Sequence, residues 1–177
     1  NIELMHVYHG IIKYYFDKTI KFNHSRLDAM LKYLVTYNFE NFEKLFSEFV
    51  YKLSYHDYAG EEAEQVFHAF TLGILVYLQS NYFIYSNIES GEGRPDIILI
   101  PEKKDERGFI FEFKKTQKDA DEEKITALTK EGFEQIQKYY YAEKIAEKGI
   151  KEYYEIVMVF AGKKATMKHE LKTTEKR

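Results

Sequence analysis

Between Leu27 and Leu53 the apolar positions recur every three to four residues. Leu27, Met30, Leu31, Leu34 and Val35 fall on one helical face. Phe39, Phe42, Leu45, Phe46, Phe49, Val50 and Leu53 form a second stripe, with Glu40, Glu43, Lys44, Glu48 and Lys52 on its wet side. The pattern predicts two amphipathic helices. Ser25 and Asp28 resemble a capping box for the first, and Asn38 is placed to cap the second. A third helix is predicted after Gly60, through Glu64, Phe67, His68, Phe70, Leu75 and Leu78. Residues 2–22 show a poorer pattern and are also read as helix.

The period then changes. Tyr82–Ile88 reads as a strand, and Asp96–Ile100 as a short apolar strand ending at Pro101. A charged turn over Glu102–Gly108 leads into Phe109–Lys114, so these two strands are expected to form a hairpin. From Asp121 to Lys148 the chain is predicted to be one long helix, with Ile125, Leu128, Phe133, Ile136, Tyr140 and Ile145 inward. Tyr153–Phe160 is a further strand, and a short one is expected after Gly162. Helices, three strands, a helix and one or two strands make an α/β (α+β) fold. Its mixed sheet is flanked by helices.

Composition narrows the function. The 177 residues are 45% hydrophobic and 31% charged, which suits a globular chain and not a disordered one. No window reaches the roughly 18 uncharged apolar residues of a membrane span, so no membrane partner is expected. Cysteine is absent, which excludes disulfides, thiolate zinc sites and a cysteine nucleophile. A reducing, cytoplasmic setting fits that absence. The net charge of −3 means that any nucleic-acid role would depend on local basic patches. With 16 Tyr and 14 Phe, the aromatic content suits core, interface or base stacking alike.

The residues that carry chemistry are Asp96, Glu112 and Lys114. Strand side chains alternate, so Glu112 and Lys114 share a face while Phe111 and Phe113 point the other way. An ionised group in so apolar a strand costs several kcal/mol unless it is paired or binds a metal. Asp96 opens the partner strand, and a hairpin would bring it beside Glu112. Two adjacent carboxylates repel unless a cation sits between them, and Lys114 or a divalent ion could serve. Hard oxygen ligands favour Mg²⁺ or Mn²⁺ over Zn²⁺. The plainer alternative is a Glu112–Lys114 ion pair on an exposed strand.

Gly93-Arg94-Pro95-Asp96 followed by Phe109-Ile110-Phe111-Glu112-Phe113-Lys114 resembles the motif of the PD-(D/E)XK nucleases. The wider series is more specific. It comprises Glu64-Gln65-Val66-Phe67-His68, Leu72-Gly73-Ile74-Leu75, Ser86 to Asp96, Glu112-Phe113-Lys114-Lys115, Gln135-Ile136, Tyr141, Gly149-Ile150 and Phe160-Ala161-Gly162-Lys163-Lys164. In that order it is similar to the nuclease-like domain often found after an AAA-ATPase-like domain in bacterial proteins.

The resemblance implies a restriction-endonuclease-like αβββαβ core over residues 59–170, preceded by a helical segment over 1–58 and followed by a basic tail over 171–177. It implies a Mg²⁺-dependent nuclease, with Mn²⁺ as an alternative ion. Asp96, Glu112 and Glu64 would hold the metal, and the Phe113 carbonyl would be a further ligand. Lys114 would orient the attacking water. His68, Glu89, Arg94, Gln135 and Lys115 would act as supporting or substrate-binding residues. Each has a structural alternative: a hydrogen-bonded histidine, a Glu89–Arg94 pair, a buried amide, a solvated lysine. One departure stands out, because Tyr139 occupies a place where the family often carries Lys.

Nucleic acid, DNA ahead of RNA, is the expected partner, and a homodimer is compatible with the fold. The start at Asn1 suggests a fragment of a longer parent that carries an AAA-ATPase-like domain. The alternative function is an inactive nuclease fold that binds nucleic acid or a protein.

Overall fold

The computed structural model describes residues 24–54, 63–86, 96–138 and 141–174. Two helices come first, α1 (His24–Val35) and α2 (Phe39–Ser54). Both present the expected apolar stripes to the core, and Leu27, Met30, Leu34, Phe42, Phe46, Phe49 and Val50 are all buried. Asn38 caps α2 as expected, its Oδ1 accepting from the Asn41 N–H at 3.3 Å. Ser25 lies within α1 rather than ahead of it, since His24 is already helical.

Helix α3 (Ala63–Leu75) continues through a 3₁₀ turn at Val76–Leu78 into the sheet. Strands β1 (Tyr82–Ser86), β2 (Ile97–Pro101) and β3 (Gly108–Thr116) follow. Next come α4 (Glu122–Lys138), the short α5 (Glu143–Glu147), β4 (Glu152–Ala161) and β5 (Lys164–Thr173). The five strands lie side by side in chain order. All neighbours are antiparallel except β3 and β4, which run parallel. A parallel pair needs a crossover connection, and α4 with α5 supplies it.

Alternation along the strands builds two cores. Phe109, Phe111 and Phe113 of β3, with Ile156, Met158 and Phe160 of β4, face α1, α2 and α3. Ile98, Ile110, Val157 and Val159 face α4 and α5, where Ile136, Tyr141, Ile145 and Ile150 cover them. Asp121 caps α4, its Oδ1 accepting from the Lys124 N–H at 2.8 Å.

Three expectations change. The long helix over 121–148 is two helices: Ile136, Tyr141 and Ile145 all pack on the sheet, whereas an unbroken helix would turn Tyr141 about 140° away from Ile136. Asp96 stands just before β2 rather than inside it. Strand β5 is as long as β4 and pairs with its whole length, so residues 171–173 continue the sheet where a tail was expected. Its backbone satisfies the outer edge of β4, a demand that its polar sequence does not advertise. Helix α2 then covers the outer edge of β5. Ser47 Oγ donates to the Ala165 carbonyl at 3.0 Å, and Glu43 Oε1 accepts from the Met167 N–H at 2.8 Å. Such side-chain cover blunts an edge strand against further pairing. Among the described residues, no helix is long and apolar enough to cross a membrane.

Candidate active site

The centre of the site is β3. Its partners fix the register: Ile97 opposes Phe111 across the antiparallel ladder, and Glu112 lies beside Val157 of the parallel strand. The residue before Ile97 is Asp96, at the next rung of the ladder, beside Glu112. Its Oδ2 accepts from the Phe113 N–H at 2.6 Å. That carboxylate therefore takes a backbone donor of β3 at the point where β2 begins, and it is held against the strand that carries Glu112.

On the α4 side of the sheet, β3 presents Ile110, Glu112 and Lys114. Glu112 is only 2% exposed. The plainer expectation of an ion pair on an exposed strand is therefore not met. A carboxylate this deep needs a cation close by, since desolvation costs several kcal/mol. Lys114, two residues on and so on the same face, brings its Nζ to 3.3 Å from Glu112 Oε1. The same ammonium donates to Gln135 Oε1 at 2.6 Å and stands 3.3 Å from Glu131 Oε1. Lys114 is thus held from below by its own strand and from above by α4. Gln135 and Glu131 are one helical turn apart, which places both on the flank of α4 that overhangs the end of β3.

Helix α4 can come this close because of Gly132. A Cβ built there would lie 2.6 Å from Val157 Cγ1 and 3.0 Å from its Cγ2. Glycine lets the helix sit directly on β4, and that approach sets the height of Gln135 above Lys114.

Of the nine residues singled out in the sequence, four converge here: Asp96, Glu112, Lys114 and Gln135. Lys115 does not join them. It alternates to the other side of β3 and is exposed, lining the loop that runs to Asp121 and Lys124. Glu64 and His68 lie on α3, but their side chains fall outside the described residues. Glu89 and Arg94 lie in 87–95, also outside them. Sequence reading missed Glu131, although its four-residue spacing from Gln135 was a usable signal. Gly132 carried no signal without the sheet beneath it.

The donor chemistry suits a hard divalent cation. It consists of carboxylate oxygens, one of the two groups in a nearly dry setting, with no sulfur. Among the described residues no group of three or more acidic, histidine or cysteine side chains is gathered to form a complete metal cage. Asp96 and Glu112 are the described carboxylates here that could hold such an ion.

The family model of the PD-(D/E)XK nuclease superfamily matches residues 62–170. That span takes in α3, the whole of β1 to β4 and most of β5. Neither a curated protein nor a solved structure matches the chain. The chain belongs to the PD-(D/E)XK nuclease superfamily, and its mixed five-stranded sheet with flanking helices is consistent with the restriction-endonuclease-like fold.

Proposed function

We propose that this superfamily member is a Mg²⁺-dependent nuclease that hydrolyses phosphodiester bonds in DNA with a water nucleophile. The observation that carries the reading is the buried Glu112 beside Lys114, with Asp96 fastened to the same strand. A buried carboxylate and a lysine clamped by Gln135 and Glu131 are costly to maintain for structure alone.

Asp96 and Glu112, with the Phe113 carbonyl, would hold the ion, and Mn²⁺ would fit the same oxygen donors. When bound, the ion polarises the phosphate and lowers the pKa of a coordinated water. Lys114 orients the attacking water and meets the negative charge that builds on the phosphate oxygens. Gln135 and Glu131 are positioning residues. They fix the Lys114 ammonium, so that the donor does not have to be ordered at the moment of reaction.

The test pairs calorimetric Mg²⁺ titration with plasmid nicking, on wild type and on Asp96→Ala. Metal binding and nicking in the wild type, both lost in the variant, are the expected results. A folded wild type that neither binds Mg²⁺ or Mn²⁺ nor cuts DNA would overturn the reading, and would point instead to a binding module on a nuclease fold.

A further inference from the structure

Helix α2 lies along β5 in the opposite direction. Phe39 meets the His169 ring, Glu43 takes the Met167 N–H, Ser47 bonds to Ala165, and the Lys163 ammonium stands 5.6 Å over the Tyr51 ring. The last turns of α2 therefore reach the end of the sheet where β3 and β4 also finish. There an open groove of about 530 Å³ runs between α2 and the β4–β5 turn.

The charge of the groove is the opposite of the chain's. Its walls carry Lys44 and Lys52 from α2, and Lys163 and Lys164 from the turn. The one acidic side chain in the lining, Glu48, is already paired with Arg26. Lys44 and Lys164 have no acidic partner within ion-pair distance among the described residues. A chain of net charge −3 thus gathers four lysines on one concave surface. Between them stands Tyr51, 58% exposed, the most exposed of the large apolar side chains described. A cationic groove with an exposed aromatic ring, one face of it under Lys163 and the other able to take a base, is the arrangement that tracks a phosphate backbone while a base stacks.

The groove is also within reach of the site. Thr166, in its lining, pairs with Val159, which pairs with Lys114. Two strand spacings put the Thr166 backbone roughly 10 Å from that of Lys114, and by alternation Thr166 shares the α4 face with Lys114, whereas the α2 wall packs on the other face at the β5 edge. One wall is α2, which precedes the segment matched by the family, and the other, Lys163–Thr166, lies inside it.

We infer that this groove holds a single-stranded stretch of the DNA substrate next to the active site, with Lys44 and Lys164 on its phosphates and Tyr51 against a base. The inference rests on the nuclease reading above and adds the path of the strand.

It is tested by fluorescence anisotropy with a labelled single-stranded oligothymidine, in Ca²⁺, across a salt series. Plasmid nicking in Mg²⁺ is run on the same preparations. The substitutions are on exposed side chains, and circular dichroism checks that each variant is folded. Each lysine–phosphate contact on a single strand adds about 0.7 to the slope of log K against log salt. The double variant Lys44→Ala/Lys164→Ala should therefore have a slope shallower by about 1.4, which is on the order of 25-fold weaker binding at 0.1 M salt, closing towards 1 M. Tyr51→Ala should weaken binding about tenfold with the slope unchanged. If the wild type binds and the lysine variant keeps both affinity and slope, the groove inference falls and the nuclease reading stands. A wild type that nicks plasmid but captures no single strand has the same meaning. A wild type that neither binds nor nicks removes both.

Discussion

Substituting Gly132 by alanine sets two known effects against each other. In an exposed helix interior alanine is about 0.8–1.0 kcal/mol more favourable than glycine. Gly132 is not exposed, however, and the new methyl would lie 2.6 Å from Val157 Cγ1. Ordinary carbon–carbon contact is about 3.5–4.0 Å, so the shortfall is about 1 Å. Val157 is 0% exposed, and as a β-branched side chain it has few rotamers in which to retreat. Overpacking of this kind costs about 1–3 kcal/mol. Taking about 2 and setting the helix gain against it leaves Gly132→Ala destabilised by about 1 kcal/mol.

Urea unfolding followed by circular dichroism would measure this, with the slope of the transition checked for constancy. The companion variant Val157→Ala removes the obstructing methyls. In that background Gly132→Ala should stabilise by about 1 kcal/mol, a coupling of about 2 kcal/mol between the two sites. A second readout links packing to function. A rise of α4 by about 1 Å would stretch the 2.6 Å Gln135–Lys114 hydrogen bond beyond bonding range, and a displacement of that size can cost about a hundredfold in rate. If Gly132→Ala stabilises the protein with Val157 intact, the account of how α4 is seated on the sheet is wrong.

Two further predictions concern buried charge. Lys114→Met leaves Glu112 buried without its ammonium and should destabilise by about 3 kcal/mol, whereas Glu112→Gln/Lys114→Met should recover most of that. A single variant within about 0.5 kcal/mol of wild type by the same urea assay would refute it. Glu155 of β4, 2% exposed, has its pKa raised, chiefly by burial, which outweighs the pull of Lys172 and Gln137. Folding therefore favours its protonated form. That contribution is fully present below the unfolded carboxylate range and is lost as pH rises through the raised folded value. Glu155→Gln should stabilise the protein above that window and lose its advantage in acid. A stability difference from wild type that does not vary with pH would sink the idea.

The site's strand was the most legible part of the sequence, because period-two alternation needs no tertiary information. Alternation puts Phe111 and Phe113 on one face and Glu112 and Lys114 on the other, and the burial agrees. The stripes of α1 and α2 were legible for the same reason. What could not be read depended on neighbours. No proline or glycine breaks the chain between α4 and α5; the division goes with Ile136 and Tyr141, five residues apart, both packing on the sheet. In β5 only Ala165 and Met167 are buried, so Lys-Ala-Thr-Met-Lys-His-Glu-Leu-Lys-Thr gives little strand signal by itself. Gly132 acquires meaning only once α4 is set on β4, and Glu131 was signalled only by its spacing from Gln135.

The position of the carboxylates follows from the one parallel pairing in the sheet. Strand β3 has an antiparallel neighbour on one side and a parallel one on the other. The ends of β3 and β4 and the start of β2 therefore lie at the same edge, and the α4 crossover must pass above it. Asp96 enters from the start of β2, Glu112 and Lys114 rise from β3, and Gln135 and Glu131 descend from the crossover. Crevices at strand ends where connections diverge are where ligands bind in open α/β sheets. Here that edge also has a low dielectric, because Glu112 is covered while Lys114 keeps only a narrow opening, its side chain 13% exposed. Charge placed at such an edge acts more strongly on a bound phosphate than charge on the open surface, and it is correspondingly costly when unmatched. The expense that marks Glu112 in an apolar strand and the chemistry proposed for it thus have a single cause: a carboxylate held out of water until a cation meets it.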